Sequence, residues 1–264
     1  MIVDTTRWRQ DFTLRRLLVG MVVPLLMLAC PEVKAGMQVS PTQIFVAAER
    51  NAAGLTLLNT DSTTLYAQVR VFEWRQQDGE EQLISTRSIV ASPPMLKLDP
   101  GVSQLVRIVR IDMPPTSAET SYRIIVDEVP LKTDTKDQAL SRTDNTQSNG
   151  FQFRLRYSIP VFIAPSKHID VQPVLRTQLI ETEGVRFIDI SNEGNGHAQI
   201  ADITWIQGER RISIASGLAG YVLPGQQRQW LLPDSLEPLK GGAFTARING
   251  ELVERILLPV TVDH

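Results

Sequence analysis

Histidines, cysteine and paired carboxylates are the side chains from which this sequence could build a catalytic or metal site. The three histidines, His168, His197 and His264, lie outside any HExxH, GxSxG or phosphate-loop pattern. The segment 194–197, GNGH, lacks the third glycine of a nucleotide-binding loop and predicts a hairpin turn. Asp127 and Glu128 are neighbours in a predicted strand, so their carboxylates face opposite sides and do not form a glycosidase pair. The sequence therefore predicts no enzyme, no cofactor and no metal site.

Composition and charge exclude further classes of protein. The chain has 264 residues, 42% of them hydrophobic, and its 27 Lys+Arg against 29 Asp+Glu give a formal net charge of −2. So small a charge creates no field that would capture a phosphate backbone, and we expect no nucleic-acid partner. The hydrophobic content suffices to bury the cores of one or two domains, which argues against disorder.

The N-terminal segment has the pattern of an export signal. Four arginines precede an apolar stretch over residues 17–29, which is about the length of a signal-peptide core and short for a membrane span. The triplet 33–35, VKA, predicts cleavage after Ala35. The alternatives are a lipoprotein at Cys30, which Met27 and Pro31 disfavour, and twin-arginine export at residues 15–16. We predict a signal peptide over 1–35 and a mature periplasmic chain without cysteine or stable membrane insertion.

Short runs with a period of two dominate the rest of the chain. In 65–72, for example, Leu65, Ala67 and Val69 share one face of an extended chain. Turn formers such as Pro100-Gly101 and Asn249-Gly250 separate these runs. This pattern predicts an all-β fold of two immunoglobulin-like β-sandwiches, over 36–164 and 165–264. The predicted strands are 54–58, 65–72, 104–111, 121–129, 185–190, 199–206, 220–223 and 253–262.

The most informative segment is a polar stretch followed by an apolar strand. Residues 131–150 carry too little apolar surface to offset the entropy of ordering, which predicts a long mobile loop. Large apolar residues then alternate strictly, which predicts a strand with one apolar face: Phe151, Phe153, Leu155, Tyr157 and Ile159. This row either fills the core of its own domain or overhangs the sheet edge and offers itself to another protein by β-augmentation.

A set of motifs along the mature chain resembles the periplasmic chaperones of pilus assembly, in particular the branch that serves spore-coat-U-type or archaic fimbriae. The motifs are Ser92–Pro94, Leu98–Gly101, Val106–Ile108, Tyr122–Pro130, Arg156–Phe162, Gly220–Gly225 and Trp230. The resemblance implies a boomerang of two immunoglobulin-like domains. It also implies that the apolar row, as the G1 strand, completes unfinished pilin subunits and delivers them to an outer-membrane usher.

The resemblance leaves two details of the implied site open. At the positions where such chaperones carry a basic pair that binds the terminal carboxylate of the subunit, this chain has Gln43 and Pro160. The substitute candidates are Arg107, Arg123, Arg154 and Arg156, of which Arg107 is preferred for its Val-Arg-Ile setting. Glu128 matches a glutamate that ties the two domains together, although Ala164 stands at the position of its arginine partner.

The alternative interpretation is a binding protein of another kind, either a fimbrial subunit or adhesin or a carbohydrate-binding sandwich. A subunit is expected to carry a donor extension near its mature N-terminus and often a disulfide. With its single cysteine at position 30, this chain has no intrachain disulfide.

Overall fold

The structure is a computed structural model that describes residues 36–77, 79–129, 154–166, 169–234, 236, 242–257 and 259–260. The predicted signal peptide 1–35, the predicted loop 131–150, and Phe151 and Phe153 lie outside these residues. The regular elements of the described ranges are β-strands, and no helix among them could cross a membrane. The prediction of an all-β fold with two sandwiches is confirmed.

The first sandwich consists of two sheets that share one core. One sheet has the strand order β1-β3-β8-β6, and the other has the order β2-β10-β9-β4-β5, with β7 also paired to β4. Leu55 and Val106 from the first sheet meet Ile124 and Val161 from the second, and all four side chains are fully buried. The strands are β1 (Met37–Ser40), β2 (Ile44–Val46), β3 (Ala52–Asn59), β4 (Leu65–Gln77), β5 (Glu80–Ser85), β6 (Ile89–Ser92), β7 (Met95–Leu98), β8 (Ser103–Arg110), β9 (Thr120–Val129) and β10 (Arg156–Ile163).

The second sandwich has the strand orders β15-β12-β11-β18 and β14-β13-β16-β17. Its core contains Ile188, Ile200, Trp205 and Phe244, again from both sheets. The strands are β11 (Leu175–Thr182), β12 (Val185–Asn192), β13 (Ala198–Gln207), β14 (Arg210–Val222), β15 (Gln227–Leu231), β16 (Ala243–Ile248), β17 (Arg255–Leu257) and β18 (Pro259–Val260).

Strand β4 shows how the two sandwiches meet. Its first part follows the predicted alternation, since Leu65, Ala67 and Val69 are buried. Further along, the opposite face becomes buried, with Trp74 only 2% and Gln76 only 7% exposed. Because successive side chains of a strand point to opposite faces, this change means that the outer face of the sheet is covered there.

The segment 194–197 joins strands of different sheets. It connects β12 with β13, which lie in the two different sheets of the second sandwich, so the predicted hairpin turn is wrong. The segment packs against the chain that leads into β11, and a Cβ on Gly194 would lie 2.3 Å from the carbonyl oxygen of Gln172. Only glycine permits so close an approach. The turn places His197 at the surface that faces the first sandwich.

Candidate partner-binding edge and the contact between the sandwiches

Strand β10 is paired along its whole length on one side only. It runs antiparallel to β9 from Arg156 to Ile163. On its other side β2 pairs in parallel with residues 161–163 alone, where Val161 lies opposite Ile44. Among the described residues, 156–160 therefore form an open edge. Such an edge presents unpaired backbone groups to which another strand can bind.

Pro160 indicates which residues direct their backbone groups towards the open side. Proline has no backbone N–H to donate, so within a sheet the nitrogen of a proline faces away from the strand to which it is paired. In agreement, the carbonyl of Leu155 accepts a hydrogen bond from the amide of Glu128 on β9, at 3.1 Å. Since these groups alternate in direction along a strand, those of Arg156 and Ser158 face the open side. A partner strand can therefore form a ladder with these two residues.

The apolar row emerges gradually from its own sandwich. Ile159 is 3% exposed and belongs to the core of its own sandwich, and its assignment to the subunit-binding row stays a prediction. Tyr157 and Leu155 are half-buried and pack against the same core. The C-terminal part of the strand therefore fills the core of its own sandwich, and Leu155 and Tyr157 lie beside the open edge, where β-augmentation stays a prediction.

Tyr157 and Glu128 hold the start of β10. The hydroxyl of Tyr157 donates a hydrogen bond to the carbonyl of Met37 on β1. Burial, with a further contribution from the charge of Glu128, raises the pKa of Tyr157. Glu128 lies beside Leu155, whose amide is 3.4 Å from Oε2 of the glutamate. Glu128 therefore contacts the start of β10, and its predicted role in joining the two domains stays a prediction.

The two arginines at the start of the edge differ in their partners. Arg156 binds Asp127 through Nε at 2.5 Å, and Arg70 approaches the other oxygen of the same carboxylate at 2.5 Å. Burial opposes ionisation of Asp127, but these hydrogen bonds and charges outweigh it and lower the pKa of the carboxyl group. Arg154 is exposed and forms no ion pair within the part of the chain that the structure describes.

Arg107 does not lie near the open edge. It is exposed on β8 between the buried Val106 and Ile108, so its side chain points outwards from the sheet β1-β3-β8-β6. Strand β10 belongs to the opposite sheet, and the core separates the two. Alternation along β8 turns its guanidinium away from β10, so the position of Arg107 does not favour it as the carboxylate anchor, and that role stays a prediction.

An aromatic cluster joins the two sandwiches. Trp74 and Phe162 come from the first sandwich, and Tyr221 and Leu223 come from the second; each is at most 5% exposed. Trp74 meets Tyr221 edge-on with ring centroids 5.4 Å apart, a favourable geometry for aromatic pairs. Gln76 adds polar contacts, since its side chain donates to the Tyr221 carbonyl at 2.7 Å and accepts from the Leu223 amide at 3.0 Å.

Arg123 belongs to this contact between the sandwiches. Its guanidinium lies 3.6 Å from the ring centroid of Trp74 and 5.6 Å from that of Tyr221. Burial lowers the pKa of Arg123, while the charge of Glu81, 3.6 Å away, opposes the shift. Glu81 also binds Arg228 of the second sandwich at 2.9 Å. The contact between the sandwiches therefore occupies the guanidinium of Arg123, and its role as a carboxylate anchor stays a prediction.

A buried His–Glu pair completes the contact between the sandwiches. Nδ1 of His197 lies 2.7 Å from Oε1 of Glu119, and both side chains are nearly inaccessible. The imidazole stacks on Phe162, with ring centroids 3.6 Å apart and an angle of 2° between the ring planes. The pair therefore ties Glu119, just before β9, to the segment that precedes β13.

A cleft of about 420 Å³ opens beside this pair. It is lined by Gln43 and Phe45 of the first sandwich and by His197, Gln199 and Asn249 of the second. Gln43, which stands at one of the two expected anchor positions, therefore contributes an uncharged amide to the wall. No group of His, Cys, Asp and Glu that could hold a metal ion occurs in the described residues.

Comparison with known proteins gives one family and several related structures. Residues 36–168 match the family model described as "Pili and flagellar-assembly chaperone, PapD N-terminal domain". An uncharacterized fimbrial chaperone of Escherichia coli K12, YcbF, is 26% identical over 120 residues, which are 45% of this chain. The chain spans about half the length of this curated relative, 51%.

Solved structures resemble the chain over most of its length. One is the CsuC–CsuE chaperone–tip adhesion subunit complex from the archaic chaperone-usher Csu pili of Acinetobacter baumannii, with a TM-score of 0.67 and 21% identity, covering 87% of this chain and 100% of that chain. Another is the Salmonella enterica SafA pilin–SafB chaperone complex, with a TM-score of 0.57 and 17% identity, covering 87% and 98%. At these identities the likeness concerns the fold.

Proposed function

Because the chain belongs to the family of pili and flagellar-assembly chaperones defined by the PapD N-terminal domain, we propose that it binds pilin subunits in the periplasm. The open edge of β10 is the observation that carries this proposal. Arg156 and Ser158 offer backbone groups there, next to the half-buried apolar side chains of Leu155 and Tyr157. An unfinished sandwich that lacks one strand needs these two features together, a ladder and an apolar row. The chaperone delivers the subunit to an outer-membrane usher.

The segment that the chaperone places in the subunit consists of the apolar row without Ile159. Phe151, Phe153, Leu155 and Tyr157 enter the groove of the subunit, while Ile159 stays in the core of the chaperone. At about 25 cal/mol per Å² of apolar surface, three such side chains contribute several kcal/mol before the cost of ordering. Binding of this strength holds the subunit and still allows its later transfer without nucleotide hydrolysis.

Arg154 is the candidate that best suits an anchor for the terminal carboxylate of the subunit. It is exposed two residues before the open edge and has no ion-pair partner among the described residues, whereas Arg156 already binds Asp127. A carboxylate that becomes partly buried needs a cation or backbone donors. Arg154→Gln is expected to weaken subunit binding about tenfold, and Arg107→Gln, on the opposite sheet, serves as the matched control.

The division of the chain is part of the same proposal. Residues 1–35 form a cleaved signal peptide, 36–164 form the subunit-binding sandwich and 165–264 form the second sandwich. The spore-coat-U-type branch is proposed on the motifs of residues 156–162 and 220–225. Since the family is one of chaperones, the proposal includes no catalytic step.

Co-expression tests the proposed function directly. The chain is produced in the periplasm of Escherichia coli together with a pilin subunit that is encoded in the same genome as this chain. We expect a soluble 1:1 complex and rapid aggregation of the subunit when it is expressed alone. A subunit that stays soluble without this chain, and does not co-purify with it, would contradict the proposal.

A further inference from the structure

Two unpaired strand edges meet at one side of the first sandwich. Within the described residues, β1 is the outermost strand of its sheet and pairs only with β3, while β10 carries the open edge of the other sheet. The carbonyl of Gly36 accepts a hydrogen bond from the amide of Thr60, which follows β3, at 3.2 Å. Backbone groups alternate in direction along a strand, so those of the next residue, Met37, face away from β3. The Met37 carbonyl is therefore an acceptor on the unpaired edge of β1.

The side chain of Tyr157 connects these two edges. Its hydroxyl donates a hydrogen bond to the Met37 carbonyl, and its half-buried ring packs against the core of the first sandwich. Met37 itself is fixed in place, because its side chain is fully buried in the same core. A hydroxyl has a single hydrogen to donate. In this conformation the donor of Tyr157 is therefore occupied by the first strand of the chaperone itself.

Tyr157 is held less firmly than the core residues that follow it. It lies opposite Val126 of β9, on the part of β10 that β2 leaves unpaired. Its neighbour in the apolar row, Leu155, is also only half-buried, whereas Ile159 is 3% exposed. A hydrogen bond between neutral groups is worth about a fivefold preference for the closed arrangement. The side chain of Tyr157 can therefore be held against β1 in most molecules and still be released to a partner.

We propose that the contact between Tyr157 and Met37 is autoinhibitory, so that only the form in which this contact is open binds a subunit. This inference rests on the proposed function, which places the ring of Tyr157 in the groove of a pilin subunit. Met37 belongs to the core of the chaperone and stays there, so its carbonyl and the groove are alternative partners of Tyr157. Binding to a minor open form weakens the apparent affinity in proportion to the fraction that is open. The contact thereby keeps an apolar side chain covered while no subunit is bound.

The carbonyl signal of Met37 tests whether the contact opens on binding. Met37-Gln38 is the only methionine–glutamine pair in the sequence, so ¹³C-carbonyl methionine with ¹⁵N-glutamine labels one peptide bond. The carbonyl shift is recorded by NMR in the free wild type, in free Tyr157→Phe, and in the wild-type complex with the pilin subunit. We expect binding to move the wild-type shift to the value of the free Tyr157→Phe variant. A shift that stays at the value of the free wild type in the saturated complex would overturn the inference and leave the proposed function standing.

Association kinetics give a second readout, which separates the contact from the polarity of the side chain. Tyr157→Phe is expected to associate with the subunit about fivefold faster than the wild type, because its ring is no longer held on Met37. Tyr66→Phe, on β4 two strands from the open edge, is the matched control and is expected to associate at the wild-type rate. An association rate of Tyr157→Phe at or below that of the wild type would refute the inference, even if slower dissociation made the binding tighter. Failure of the wild type to bind the subunit at all would instead refute the proposed function, and the inference with it.

Discussion

Leu155→Asp provides the sharpest test of the proposal that the start of β10 enters the groove of a pilin subunit. The side chain is half-buried beside the open edge, and the proposal places it in the groove of the subunit. Losing the leucine from the groove forfeits about 1.5–3 kcal/mol. An unpaired carboxylate in an apolar groove costs at least about 2 kcal/mol more. Oε2 of Glu128, only 3.4 Å from the amide of residue 155, adds repulsion. Together these effects predict binding weaker by about 4 kcal/mol, or roughly a thousandfold.

The assay measures the affinity for a pilin subunit together with the fold of the variant. Titration gives Kd, and a urea transition of the free chaperone reports whether the sandwich is intact. Ser158→Asp is the matched control, because it adds the same carboxylate to the opposite, exposed face of β10. It is expected to bind within about threefold of the wild type. If folded Leu155→Asp also binds within threefold, this segment does not enter the subunit.

Three further predictions concern the chaperone alone, each measured by urea unfolding. Tyr157→Phe loses the hydrogen bond to the Met37 carbonyl and should lower the free energy of unfolding by about 1 kcal/mol. Asp127 has a lowered pKa in the folded state, so its contribution to stability is complete above the unfolded pKa of about 3.9 and is lost as the pH falls through the folded value. Asp127→Asn should therefore flatten the loss of stability between pH 5 and pH 2. Phe162→Ala opens the contact between the sandwiches and should cost about 3 kcal/mol.

The strands of the fold could be predicted where only one of their faces is buried. The period of two in 65–72 corresponds to the first part of β4, whose inner face packs on the core. Strand β5 was missed because all its side chains are exposed, so no alternation marks it. Most of β14 was missed because register irregularities opposite Ala201 to Thr204 interrupt its alternation, although Ile212 and Ile214 pack against the core.

The site was only partly predictable, because its polar pairs join distant residues. Glu119 and His197 are 78 positions apart, and neither carries a local pattern that marks it. One signal for the contact between the sandwiches was present, however. Residues 159–163, IPVFI, are apolar without interruption, which is typical of a strand covered on both faces. All of them are buried, with Phe162 facing the second sandwich.

The shortness of β2 has a consequence for how a guest chain settles on β10. The three residues of β2 already pair with Val161 to Ile163, so an added strand cannot extend past Pro160. Sliding by a single position would turn every guest side chain to the wrong face. Steric blockade at Ile44 can therefore set the alignment of the guest without a charged pair at positions 43 and 160.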